Sequence, residues 1–261
     1  MRWNTIVASV ALATAIAFTA PAHAVAISYA STTIDWSRFE PTVSLTYTST
    51  YSIPIAEANL NGVQAPQVRN DLSGPGLTGW GSMSALNTLT NVRGYGNTTA
   101  DTVYAEGQVL ADGAASLSTH ASAFVGRGGY FSIGSNVADF NFSVPYTYQH
   151  TLTLGSPADS AYAQSMLFMT LLAWDPAAQA WGVIANQTLN FFDTGGSGSW
   201  SAGGTLTLLS NQALAPGDYA FDISAFAAAA ATTPAVVPEP SSLALFGLGL
   251  AGLVASRRRK Q

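Results

Sequence analysis

The side chains able to do chemistry are few and widely spaced. The 261-residue chain has no cysteine, which removes disulfides, thiolate metal sites and thiol catalysis together. No serine has glycine both two residues before and two after it, so the strained turn that exposes a nucleophilic serine is absent. Beyond residue 24 the histidines are His120 and His150, and neither stands in a metal-ligand spacing. His150 lies between Tyr148 and Leu152 on an apolar parity, the setting of a hydrogen-bonded core histidine. His120 lies on a serine-lined parity and reads as solvated. Glu40, Glu57 and Glu106 are the only glutamates ahead of the C-terminal tail. Glycoside hydrolysis would need two carboxylates about 5–10 Å apart; whether any pair converges is set by strand pairing rather than by sequence, and solvated surface charge is the default reading. Asp193, Asp218 and Asp222 offer oxygen ligands for Ca2+, without EF-hand spacing. The expectation is a protein without catalytic residues, cofactor or metal site, Ca2+ on these aspartates being the one alternative left open. Trp80 and Trp200 are flanked by glycines and serines, as if in loops. An indole there either faces a sugar ring, making these two the candidate ligand-binding residues, or plugs the domain.

Charge narrows the partners. The formal net charge is −5, but Arg2, Arg257, Arg258, Arg259 and Lys260 lie in the terminal segments. The domain between them keeps four arginines and no lysine against thirteen acids, a net charge of −9. Such a surface repels phosphate backbones and excludes nucleic-acid binding. It equally repels anionic polysaccharide unless a divalent cation bridges the two.

The elements that must position these residues are strands. From Ala138 to Leu154 the chain alternates strictly, with Phe140, Phe142, Val144, Tyr146, Tyr148, His150 and Leu152 on one parity. Pro145 within that run should mark an edge position or a bend. Thr42–Tyr51 alternates too, which puts Val43, Leu45, Tyr47 and Tyr51 on one face. Tyr104–Val125 reads as a hairpin turning at Asp112-Gly113. Met166–Trp174 is continuously apolar, as in a strand buried on both faces, and Trp181–Phe192 should return as its partner. Asn59–Asn97 is rich in Gly, Pro and Asn and reads as a long irregular stretch. Many short strands between turn signals give an all-β domain, a β-sandwich expected in jelly-roll form, over residues 25–226. An Ala/Thr-rich linker follows over residues 227–236.

Both ends read as targeting segments. Arg2, the apolar run from Ile6 to Ala20, and the small residues Ala22 and Ala24 around His23 make a signal peptide over 1–24, a substrate of the general secretion machinery. At the other end Val237-Pro238-Glu239-Pro240 precedes an uncharged run, Ser242–Ala255, then Arg257, Arg258, Arg259 and Lys260. Pro238 and Pro240 hold the tripeptide extended. As a helix the 14-residue run would be about 21 Å long, less than a comfortable span. The cations after it should stay cytoplasmic. A glycine-thinned, short transmembrane helix suits a temporary anchor.

In this order, Pro238, Glu239 and Pro240, the apolar segment and the basic cluster resemble the PEP-CTERM sorting signal of Gram-negative bacteria, over residues 237–261 only. The resemblance implies recognition of Pro-Glu-Pro by exosortase, an integral-membrane cysteine transpeptidase. The tail would be removed and the protein passed to the cell surface, in association with exopolysaccharide and biofilm. Its motif is silent on the domain ahead of it, for which three expectations stand in descending order: the non-enzymatic matrix protein the resemblance implies, a carbohydrate-binding sandwich, and more remotely a glycoside-acting enzyme.

Overall fold

The computed structural model describes residues 25–74, 76–77, 79–112, 117–210 and 212–234. The signal segment 1–24, the tail 237–261 and the helices expected in each lie outside the described residues. In chain order the strands are β1 (Val25–Asp35), β2 (Glu40–Pro41), β3 (Tyr47–Leu60), β4 (Val63–Gln64), β5 (Val68–Arg69), β6 (Leu72–Ser73), β7 (Met83–Leu89) and β8 (Val92–Thr98). They continue with β9 (Thr102–Asp112), β10 (Leu117–Ile133), β11 (Asn141–Leu154), β12 (Ser160–Asp175), β13 (Ala180–Thr194), β14 (Gly198–Leu209) and β15 (Gly217–Thr233). A 3-10 turn at Trp36–Arg38 is the one helical element among the described residues.

Two antiparallel sheets pack face to face. The first runs β14-β11-β1-β9-β8-β7, with β2 beside β11; the second runs β13-β12-β15-β10-β3-β4, with β5 and β6 also paired to β3. The alternation over Ala138–Leu154 sets the face of β11: Phe142, Val144, His150 and Leu152 are buried between the sheets, while Thr147, Gln149 and Thr153 are exposed. Pro145 falls just past the last β1 pairing, Ile34 with Tyr146, and before the β2 pairing of Glu40 with Ser143. It therefore sits where β11 has no neighbour to bond on that side.

Five readings of the sequence change. Tyr104–Val125 is not a hairpin: β9 pairs with β1 and β8, β10 with β15 and β3, so the chain passes from one sheet to the other. The facing of β3 also flips. Val43, Leu45 and Tyr47 pack on the core, but beyond them Thr50, Ser52, Ala56 and Ala58 are buried and Tyr51 turns outward. The cause is a bulge: Phe131 pairs with Tyr47 and Tyr130 with Ser49, leaving Thr48 unopposed. Met166–Trp174 is buried on one face, since β12 alternates Leu167, Met169 and Leu171 inward with half-covered residues outward. Within Asn59–Asn97, β7 and β8 form a regular hairpin turning at Thr90-Asn91, with Asn91 at φ 62°. Finally, residues 227–233 are strand rather than linker: Ala227, Ala229 and Ala231 lie fully paired in β15, at the centre of the second sheet.

That alanine run has a packing reason. A Cβ added to Gly94 would stand 2.4 Å from the Ser122 carbonyl oxygen, and one on Gly107 would stand 2.8 Å from that of Ala121. Here the sheets approach so closely that only glycine and alanine fit, and Ala105, Ala121, Ala123, Ala227 and Ala229 fill the gap. Elsewhere the core is aromatic: Trp36 stacks on Phe39 at 4.9 Å, and Phe131, Phe142 and Phe221 continue the cluster. Among them lies Arg127, fully buried on the inner parity of β10, its guanidinium 5.2 Å over the Trp36 ring. Nε donates to Ser52 Oγ at 3.3 Å, and Nη2 donates to the carbonyls of Gly81 and Thr99. Burial pushes its pKa down to about 10, with Asp101 opposing, so it remains a cation at neutral pH. A buried cation held by carbonyls fixes the loop around Gly81 to the turn at Thr99.

Candidate functional site

Three places hold the side chains considered for chemistry. The first is a chain of hydrogen bonds between the sheets. His150 of β11 bonds through Nδ1 to Asp193 Oδ2 at 2.6 Å and through Nε2 to Ser165 Oγ at 2.9 Å. The order Asp–His–Ser is that of a nucleophilic triad. However, His150 and Ser165 are both fully buried, and Ser165 Oγ also donates to the Ser31 carbonyl at 3.2 Å. A serine shut between two sheets and engaged with backbone cannot meet a substrate carbonyl. Burial pushes the His150 pKa down, while the hydrogen bond to Asp193 pulls the other way. The constellation ties β1 and β11 to β12 and β13 as a structural bridge.

The second place holds the tryptophans. Trp80 is not presented to solvent: its ring packs edge-on to Trp36 at 5.0 Å and Tyr47 at 4.9 Å, and Nε1 donates to the Gly128 carbonyl at 2.9 Å. Of the two uses open to it, plugging the domain describes its position. Trp200 lies in β14 rather than a loop, opposite His150 and packed against the core. The exposed indoles are Trp174 and Trp181, 36% and 38% accessible, at the β12–β13 turn.

The carboxylates stay apart. Glu57 faces outward from the second sheet, beside Gln67 and Ser122, while Glu106 faces outward from the first and Glu40 lies in β2. Asp193 is held by His150, Asp218 accepts from Ser132 at 2.6 Å, and Asp222 accepts from Tyr51 at 2.8 Å and from Ser224. Among the described residues, no three His, Asp or Glu side chains gather where a metal ion could be held. Burial pushes the Asp222 carboxyl up, against its hydrogen bonds from Ser224 and Tyr51.

The third place is a trough of about 420 Å3 on the outer face of the first sheet. Strand parity builds it. Tyr29, Ser31 and Thr33 line it from β1, Tyr104 from β9, Thr147 and Gln149 from β11, and Ser201 from β14, with Tyr148 and Ala202 completing the lining. The register sets Ser201, Gln149, Ser31, Glu106 and Tyr95 side by side in one row across five strands. Beside it, Tyr104 Oη donates to Glu106 Oε2 at 2.5 Å. Tyr29 and Tyr104 have their hydroxyl oxygens 3.2 Å apart. Because the single Tyr104 proton goes to the carboxylate, Tyr29 must donate to Tyr104. The Tyr29 oxygen is then left as an acceptor facing the trough.

Glu106 is also ion-paired to Arg93 at 3.4 Å, and the Arg93 guanidinium lies 5.1 Å over the Tyr95 ring. Burial, and then the hydrogen bond to Glu106, push the Tyr104 pKa well above its usual value. Tyr104 therefore keeps its proton through the physiological range. The result is a concave surface lined by tyrosine rings, the Gln149 amide and several hydroxyls, with no charged side chain in the lining. Sequence reasoning missed it because its members come from four strands spread over Tyr29–Ala202, and only inter-strand register brings them together.

Comparisons with known proteins bear on the other end of the chain. Residues 236–260 match the PEP-CTERM protein-sorting motif. The tail is a sorting signal. The motif marks an exported protein whose membrane-anchoring C-terminal tail is processed by exosortase. No curated protein matches the sequence. Among solved structures, a family 29 carbohydrate-binding module, CBM29-2 mutant D114A, is 12% identical, covering 43% of this chain and 72% of its own, with a TM-score of 0.13. Bacteroides uniformis β-glucuronidase is 8% identical over 66% of this chain and 21% of its own, TM-score 0.16. Aeromonas hydrophila ExeD is 7% identical over 98% of this chain and 59% of its own, TM-score 0.14. Likenesses this slight carry no argument about the site.

Proposed function

We propose that this is a non-enzymatic surface protein which, after export and removal of its tail, binds neutral polysaccharide of the extracellular matrix or biofilm. The supporting observation is the trough: Tyr29, Tyr104, Gln149 and Ser201 combine apolar ring faces with hydroxyl and amide groups. That mixture is what the alternating CH faces and hydroxyls of a sugar chain require. Its volume lies within the ordinary range of about 300–1,000 Å3 for ligand sites. Charge selects the ligand class, since a lysine-free domain of net charge −9 disfavours anionic polymers. Binding at the trough needs no Ca2+, because its polar groups recognise hydroxyls directly.

On this reading the secretion machinery delivers the chain with Arg257, Arg258, Arg259 and Lys260 held cytoplasmic. Exosortase then acts at Pro238-Glu239-Pro240, and the freed sandwich reaches the surface. Screening the exported protein on a glycan array with and without EDTA tests the binding. The expected result is retention of neutral glycans, unchanged by EDTA and lost in Gln149→Ala combined with Tyr29→Phe. Retention by that double variant would sink the trough as the site.

A further inference from the structure

The two ends of the sandwich are finished differently. At one end the segment after β3 laces the sheets together. Asn87 Nδ2 donates to the Pro66 carbonyl at 2.7 Å, the Asn70 amide donates to the Ser84 carbonyl, and β4, β5 and β6 pair with β3 only two residues at a time. Arg69 and Asp71 form an ion pair there at 3.0 Å. Short, charged, interrupted pairing is how a sheet edge is protected from other strands.

At the opposite end, β13 and β14 are edge strands of 15 and 12 residues with no proline, lysine, arginine or glutamate. The one charge on them, Asp193, is engaged by His150. Val183 and Phe192 are 58% and 54% exposed. The register irregularity opposite Leu171 and Leu172 falls at the Trp181 end, leaving Ala185–Thr194 as a flat, uncharged edge apart from that aspartate.

We propose that Ala185–Phe191 of β13 is where a second copy of this chain adds, antiparallel, about a two-fold axis at Thr188. The sequence is self-complementary in that register. Asn186 of one copy falls opposite Asn190 of the other on the outer face, and Ala185 falls opposite Phe191 on the inner face. Amide thus meets amide and small meets large. The two Asp193 carboxylates lie at opposite ends of the pair and do not repel. In that register Ala185–Phe191 oppose one another, and seven residues at about 3.3 Å each make a contact about 23 Å long. Side chains included, that contact covers on the order of 700 Å2 in total, the size of a weak, concentration-dependent interface.

The pairing stands independently of the trough, which lies on the outer face of the other sheet. Sedimentation of the exported protein should show the average mass climbing toward twice the chain mass as concentration rises. Asn186→Lys with Thr188→Lys should give the monomer with unchanged sheet circular dichroism and unchanged glycan retention, while Ser84→Lys on the protected edge should leave the dimer. Since the chain has no cysteine, Thr188→Cys supplies a single thiol that should join two copies on mild oxidation. This variant decides the matter should the lysine variant misfold. A monomeric wild type, or a Thr188→Cys protein that stays uncrosslinked where Ser84→Cys behaves the same, overturns the proposal.

Discussion

Replacing Gly107 by alanine tests the close approach of the sheets with one methyl group. The added Cβ would stand 2.8 Å from the Ala121 carbonyl oxygen, 2.9 Å from the Ala229 nitrogen and 3.2 Å from the Ala228 Cα. All three are backbone atoms of β10 and β15, so no side-chain rotation relieves the clash and the strands must separate by several tenths of an ångström. Overpacking of this kind costs about 1–3 kcal/mol, and opposition from backbone on two strands places Gly107→Ala at about 3 kcal/mol. The loss of unfolded-state freedom returns about 0.4–1 kcal/mol. The net cost is about 2 kcal/mol, which for a domain of this size lowers Tm by about 4–8 °C. Gly134→Ala is the control, since nothing lies within 4 Å of its Cβ position; its Tm should stay level or rise slightly. Thermal unfolding of both variants by circular dichroism is the assay. A Gly107→Ala protein melting within about 1 °C of wild type would refute the reasoning about sheet spacing.

Other outcomes follow from the same packing. Trp80→Ala should cost about 3–5 kcal/mol of stability, because it empties the aromatic plug, yet leave glycan retention intact below its Tm; chemical denaturation beside a binding assay checks both. Ser165 should not react with a fluorophosphonate probe, and Ser165→Ala should destabilise by about 1–3 kcal/mol through the unpaired His150 nitrogen; intact-mass spectrometry and denaturation read these. Burial lowers the pKa of His120, with Glu57 opposing, and of His150, with Asp193 opposing. The unfolded chain therefore takes up protons from about pH 6.5 that the folded chain accepts only at lower pH, and stability falls on acidification through that window. Asp222, raised by burial, acts in the opposite sense in the acid range. The comparison of His120→Asn with wild type isolates the histidine: its Tm should fall less steeply between pH 7 and pH 5.

Much of the strand layout was legible, and what failed was non-local. The inward face of β11 followed from Phe142, Val144, His150 and Leu152 because a period of two needs no knowledge of the partner strand. The break at Asp112 was legible as a change of direction, but local turn chemistry cannot distinguish a hairpin from a passage between sheets. The bulge at Thr48 inverted the facing of Tyr51 because one unpaired residue shifts every later side chain to the other face. Ala227–Thr233 looked like a linker because alanine carries little strand preference. Its strand state is imposed by the narrow gap opposite Gly107. Arg127 had a readable signal, since it occupies the inward parity of β10 between Val125 and Gly129. Trp80 and Trp200 drew attention by type and flanking glycines, whereas Tyr29, Tyr104 and Gln149 have no local mark, since only pairing across β1, β9 and β11 makes them a site.

The most direct test of the account is a calorimetric titration of the exported protein with a neutral polysaccharide from the producing cells' matrix. Wild type, Gln149→Ala with Tyr29→Phe, and Trp80→Phe would be compared under the same conditions. The account predicts saturable heat for wild type and Trp80→Phe, with or without EDTA, and none for the trough variant with its sheet spectrum intact. Equal binding by wild type and the trough variant, or binding abolished only by EDTA, would contradict it.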